Sequence, residues 1–141
     1  MQTDLLFGRE VNARATDLGL AVLRIFAGLA LAFGHGWGKV PPGDGFVGMI
    51  GGMGFPAPVL FAWLAALAEF LGGLLLALGL LTRPVSLVVA GHFAIVVAIA
   101  HAGDPFGRRE LGLFFLFVAL LYLCAGAGRY SLDAVLRPRA R

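Results

Sequence analysis

Charge is what these 141 residues have least of: Lys, Arg, Asp and Glu together make up 13% of the chain, against 60% hydrophobic residues and a mean hydropathy of +0.90. A soluble globular domain carries roughly 25% charged residues and under half apolar ones. The balance excludes an ordinary soluble domain and points to a membrane protein. Cysteine is scarcer still. With Cys124 alone, no intrachain disulfide, CxxC redox pair or multi-cysteine metal or iron–sulfur site can form within the chain. Any redox chemistry must use a bound cofactor or a partner subunit. Acidic residues are few enough to leave a net charge of +3 and a pI near 9.8, but the arginines gather at the chain ends rather than along an aromatic-bearing polar face. In a membrane protein basic ends read as topology signals, and nucleic acid is not expected as a partner.

What is present is long apolar sequence. Runs at about 18–34, 58–81, 84–102 and 110–127 approach the roughly 20 residues a transmembrane helix needs. They predict an all-α integral membrane four-helix bundle over 18–127, with a cytoplasmic N-terminal tail at 1–17 and a basic cytoplasmic tail at 128–141. Ala30-Leu31-Ala32 resembles a signal-peptide cleavage site, but Asp4, Glu10 and Asp17 precede it. An uncleaved span is expected instead. Pro84 suits the first turn of the third span, where its missing N–H is no loss.

The connection from His35 to Ala57 is the odd one: its core, "GFVGMIGGMGF", is apolar and glycine-rich yet too short to cross, so it is expected to lie over the bundle mouth as a lid. The preceding "FGHGWGKV" is read as turning the chain out of the membrane, with Trp37 and Lys39 at the interface. Orientation follows from the basic residues. Arg9, Arg14, Arg83, Arg129, Arg137, Arg139 and Arg141 fall on one side, Lys39, Arg108 and Arg109 on the other. Both termini should therefore be cytoplasmic, in a multi-pass protein of the cell's inner (plasma) membrane, with the "RPRAR" tail against anionic lipid.

The charges inside the runs are the candidate site. At about 1.5 Å of rise per residue, Arg24 lies roughly 10 Å deep, His92 about 12 Å and Glu69 about 18 Å. Arg24 shares a face with Ala27, Gly28, Ala32 and His35, and Glu69 with Ala65, Gly73 and Ala77. Small residues permit close helix approach in lipid, so both faces should point inward. A charge at the bilayer centre costs about 2.5–3.5 kcal/mol on insertion scales. An Arg24–Glu69 pair is the expected remedy, either fixing helix register or holding a ligand carbonyl. His92, nine residues from His101 and so on the opposite face, is assigned to packing or subunit contact. His35, His101 and Glu110 fall at the outer helix ends and form a candidate proton-handling set, since imidazole titrates near neutrality. They come from three segments without local ligand spacing, so no metal site is assigned.

The ordered landmarks resemble the DoxX family of small four-helix membrane proteins. They are Arg24 within "LRIFAGLALAFGHGWGK", the Glu69-Phe-Leu-Gly72-Gly73 run, Glu110, and "GRYSLD" at 128–133. That family includes a subunit of an archaeal thiosulfate:quinone oxidoreductase, and other members are associated with membrane redox and oxidative-stress complexes. The resemblance implies a non-autonomous subunit of a quinone-linked oxidoreductase, without a covalent cofactor. In that reading Arg24 and Glu69 contact the quinone while His35, His101 and Glu110 handle protons. A redox partner protein, or a second copy of the chain, would complete it. The alternatives are a non-catalytic membrane scaffold or assembly factor and, with less support, a small transporter. Fold carries over between relatives better than activity does.

Overall fold

The computed structural model describes residues 13–137. Most of the N-terminal tail, Arg9 included, and residues 138–141 of the C-terminal tail lie outside that range. Every regular element among the described residues is helical. α1 (Ala13–Leu29) continues without a break as seven residues of π-helix, Ala30–Gly36, and one 3-10 turn, Trp37–Lys39. α2 (Asp44–Gly52) is short, and α3 (Pro58–Leu78) is long. α4 (Thr82–Ile95) runs on into a second π segment, Val96–Ala100, and is followed by α5 (Phe106–Ala125) and the brief α6 (Leu132–Leu136).

Three runs, Ala13–Lys39, Pro58–Leu78 and Thr82–Ala100, are long and apolar enough to cross a membrane. α5 has the length, with Arg108, Arg109 and Glu110 near its start.

The first run departs from expectation. "FGHGWGKV" does not turn the chain out: it stays helical through Lys39. The break comes at Val40, whose backbone is extended ahead of Pro41 and Pro42. A residue before proline is pushed out of the α region, and proline has no N–H to continue the ladder. α3 opens with Pro58 in its first turn and closes on Gly79 at φ 67. That left-handed conformation is open to glycine because it has no Cβ. Leu81 adopts φ 50 just before α4, and the amides on either side of this turn are held from a distance. The Asp133 carboxylate accepts from Leu81 N at 2.8 Å and Thr82 N at 2.9 Å, while Asp133 N donates to the Gly79 carbonyl at 2.8 Å. The start of α6 is thereby stitched to the α3–α4 turn.

Inside and outside are sorted by size. The buried positions of α1 and α3 are mostly small, among them Ala21, Ala27, Gly28, Ala32, Ala62, Ala66, Gly73 and Ala77. Phe26, Phe33, Leu60, Leu64, Leu87 and Phe117 face outward. Large apolar side chains outside and small ones inside suit a bilayer, where lipid solvates the exterior and close backbone approach drives association. A Cβ on Gly28 would lie 2.6 Å from the Gly73 carbonyl oxygen, and one on Gly73 would lie 2.7 Å from Ala32 N. The two helices therefore touch backbone to backbone. α3 lies between α1 and α4, and α4 packs along α5. Tyr122 of α5, fully buried, returns to α1 by donating its hydroxyl to the Leu20 carbonyl at 2.6 Å.

Candidate functional site

The expected Arg24–Glu69 pair does not form. The antiparallel register prevents it. Gly28 abuts α3 at Gly73 and Ala77, and Gly36 abuts it at Glu69 and Phe70. Arg24, one turn before Gly28, therefore meets the C-terminal end of α3. Its Nη1 donates to the carbonyls of Leu76 at 2.8 Å and Ala77 at 2.7 Å, and Nη2 to the carbonyl of Tyr130 at 2.6 Å. The last carbonyls of a helix have no partner within it. A guanidinium, with several donors fixed in one plane, can serve two of them and a third group at once. Arg24 is 1% exposed, and this node joins α1, α3 and the α5–α6 link. It is closed by backbone.

Glu69 stands near the middle of α3, 4% exposed, and is bonded by side chains alone. Lys39 Nζ donates to Oε2, and His92 Nε2 lies 2.9 Å from Oε1. Lys39 comes from the last turn of the first run and His92 from α4, so three spanning segments converge on one carboxylate. Two expectations change here. Lys39, placed at the interface from sequence, stands one turn beyond Gly36 and turns inward to Glu69. His92, assigned to packing, sits at the edge of the buried α4 stripe formed by Val85, Val89 and Phe93. From an edge position its ring reaches across to α3.

Lys39 is also the one lysine in the sequence. Its ammonium lies 5.5 Å from the ring centre of Phe46 on α2, within cation–π range.

The outer set of His35, His101 and Glu110 is not brought together. His101 Nδ1 lies 2.7 Å from Asp104 Oδ2 in the α4–α5 turn. The bond with His101 is the main reason the Asp104 carboxyl is held below its ordinary range. Glu110 is exposed on α5. His35 packs edge-on against Phe115 with ring centres 5.6 Å apart. Phe115 stacks on Phe93 at 5.2 Å, and Phe93 meets His92 edge-on at 5.0 Å. Through two phenyl rings His35 thus belongs to the His92 side of the molecule. Among the described residues no three His, Cys, Asp or Glu side chains gather as metal ligands would.

Chemically, the Glu69 node offers an acceptor flanked by two nitrogen donors, beside an aromatic wall. Arg24 has its Nη nitrogens on three carbonyls, while its buried Nε has no partner among the described residues. The sequence signal that pointed to Glu69 was its depth in an apolar run. Nothing of the kind marks Lys39, which lies at a helix end where a lysine is ordinary.

The comparisons with known proteins agree with this membrane architecture. The family model for DoxX matches residues 19–102. "Inner membrane protein YqjF" of Escherichia coli (strain K12) is 32% identical over 127 residues, 87% of this chain and 95% of that protein. "Putative oxidoreductase CatD" of Bacillus subtilis (strain 168) is 26% identical over 121 residues, 85% of this chain and 88% of that protein. No solved structure matches. With the family model covering more than half of its length, from α1 to the turn after α4, the chain belongs to the DoxX family of membrane proteins.

Proposed function

We propose that the chain is the membrane subunit of a redox-linked complex and that it holds a quinone at Lys39, Glu69 and His92. One observation carries this reading: a buried carboxylate halfway along a spanning helix, bonded by two nitrogen donors from two other segments. A charge held at that depth is a functional-site hypothesis by default, because a merely structural position is more cheaply filled by an apolar side chain. The donor set suits a quinone. Lys39 has two N–H groups beyond the one it gives to Glu69 with which to meet a carbonyl oxygen, and His92, whose Nε2 is held by Glu69, offers Nδ1 as an acceptor for a hydroxyl of the reduced form. A bound quinone supplies two-electron redox chemistry coupled to proton uptake. The protein's part is to orient a carbonyl with Lys39 and to keep Glu69 as the acceptor that holds Lys39 and His92 in place. The name of the Bacillus subtilis relative supports an oxidoreductase setting.

The same reading makes α5 the fourth span, its Arg108, Arg109 and Glu110 at the outer surface, so that the fold is a four-helix bundle. α2 acts as the glycine-rich lid, with Phe46 over Lys39. Both termini are cytoplasmic, following the arginine bias, and the name of the Escherichia coli relative supports the inner membrane. Electrons come from a partner protein. Arg24, whose Nη nitrogens are taken by three carbonyls, is a structural residue rather than a ligand contact.

The test is extraction in mild detergent followed by mass spectrometry of bound small molecules. Wild-type protein should retain a quinone, and Glu69→Gln and His92→Phe should retain at least about tenfold less, the loss expected when hydrogen bonds to a charged group are removed. Wild-type protein with no quinone but a stoichiometric protein partner would replace this reading with a non-catalytic scaffold. The Arg24 node, built wholly for structure, already favours that second reading for its own half of the molecule.

A further inference from the structure

At the end of the molecule opposite α2, the α3–α4 turn, the α5–α6 link and α6 enclose a cleft of about 780 Å³. Three arginines line it, each from a different segment: Arg83 after the α3–α4 turn, Arg129 in the link and Arg137 after α6. All three are exposed. Two carboxylates share the lining, Asp17 and Asp133. Asp133 is committed to the amides of Leu81 and Thr82, so its oxygens already have donors. Arg83 reaches one carbonyl, that of Cys124, at 3.2 Å.

Beside the arginines stands an apolar surface that the described residues leave uncovered. Val135 and Leu136 of α6 are 77% and 67% exposed, and Tyr130 is 52% exposed. α3 ends at Leu78 and α4 begins at Thr82, and both are candidate spans. The cleft therefore lies at the level where the spans leave the bilayer.

We propose that this cleft is a binding site for an anionic phospholipid, whose phosphate meets Arg83, Arg129 and Arg137 while α6 lies in the headgroup layer. The charge complementarity selects an anion, and guanidinium groups match phosphate oxygens in geometry. Val135, Leu136 and Tyr130 select the source of that anion. A soluble phosphate would leave them in water, whereas a lipid brings the interface in which aliphatic and tyrosine side chains are at home. This site is separate from Glu69 and stands or falls independently of what Glu69 binds.

The experiment uses the full chain, delipidated in detergent, with native mass spectrometry and thermal unfolding as readouts. Phosphatidylglycerol, phosphatidylcholine and glycerol 3-phosphate are added separately. Phosphatidylglycerol should remain bound at one per chain and raise the unfolding midpoint, and the other two should do neither. Arg129→Gln with Arg137→Gln should lower phosphatidylglycerol retention on the order of tenfold and leave the lipid-free midpoint unchanged. Arg129→Lys with Arg137→Lys keeps the charge but not the planar fork, and should retain more of the binding than the Gln variant and less than the wild type, which guards against misreading a folding defect. Equal retention of phosphatidylcholine, or undiminished retention by the Gln variant, would overturn the proposal. Equal stabilisation by glycerol 3-phosphate would overturn the lipid as the source.

Discussion

Arg24 and Glu69 are both charged, both all but buried and both on faces of small residues, yet their surroundings differ in kind. Arg24 is bonded through its Nη nitrogens by three backbone carbonyls, groups that do not titrate, move or leave. Glu69 is satisfied by Lys39 and His92, side chains that can turn to another acceptor. A guanidinium bound to carbonyls ties three segments of backbone together. A carboxylate held by an ammonium and an imidazole is held by groups that can turn. Burial and charge, which the two share, do not fix the surroundings of either; the register of the helices does.

That contrast is most directly broken at Arg24. Arg24→Leu takes the donor from the carbonyls of Ala77 and Tyr130 and leaves the Leu76 carbonyl with its bond from Gly79 N alone. At roughly 1–3 kcal/mol for each buried polar group left unsatisfied, the loss should be about 2–6 kcal/mol, a large part of the stability of a domain this small. Little folded protein should survive size-exclusion chromatography in detergent. Arg24→Lys should rescue poorly, because one ammonium cannot span three carbonyls as a planar fork does. A well-folded Leu variant would sink the structural assignment.

Next in size is the backbone contact that sets the register between the two nodes. Gly73→Val places side-chain atoms where a Cβ already lies 2.7 Å from Ala32 N and from the Gly28 carbonyl oxygen. Backbone cannot yield as a flexible side chain can, so overpacking of at least about 1–3 kcal/mol is expected. The helices must separate or slide, and either movement takes Lys39 away from Glu69. Loss of thermal stability together with loss of ligand retention is the expected signature. Retention at wild-type level would show that the Glu69 node does not depend on this register.

Glu69→Gln sharpens the comparison from the other side. Glutamine keeps the shape and an acceptor oxygen, and Lys39, about a third exposed, can extend its ammonium toward the headgroups. Stability should fall by no more than about 1–2 kcal/mol, while ligand retention falls at least about tenfold. A variant as unstable as Arg24→Leu would make Glu69 another structural charge.

Much of this was legible before any coordinates. Composition and the length of the apolar runs identified a helical membrane protein. Four-residue spacing of small residues identified the faces of α1 and α3 that meet. What sequence reasoning missed was the vertical offset between those faces. With Gly28 opposite Ala77 and Gly36 opposite Glu69, Arg24 is carried past Glu69 to the end of α3, and Lys39 is carried to it. Periodicity reports which face a residue is on and says nothing of its height against a neighbouring helix. It also does not report that the first run would stay helical through three glycines as far as Lys39. His92 was missed for a related reason: at the edge of a buried stripe, a helical wheel assigns a long side chain to either side.

The smallest expected effect lies at Asp133, which supports the Arg24 end without belonging to it. Burial opposes ionisation of this carboxyl, but the bonds from Thr82 and Leu81 outweigh it and hold the group below its ordinary range. A carboxyl whose folded value is depressed contributes stability that is fully present above the unfolded value of about 3.9. That contribution is lost as pH falls through the lower, folded value. The tie between α6 and the α3–α4 turn should therefore be constant from neutral pH down to about pH 5 and weaken below about pH 4. Hydrogen exchange at the Leu81 and Thr82 amides, corrected for the intrinsic effect of pH, should quicken at pH 3 relative to pH 6, and Asp133→Asn should bring part of that increase to neutral pH. Unchanged corrected rates would mean that the left-handed turn at Leu81 is held by the packing of α3 and α4 alone. In that case the backbone bond from Asp133 N to the Gly79 carbonyl, together with the bond from Arg24 to Tyr130, would be what fastens α6 to the rest of the molecule.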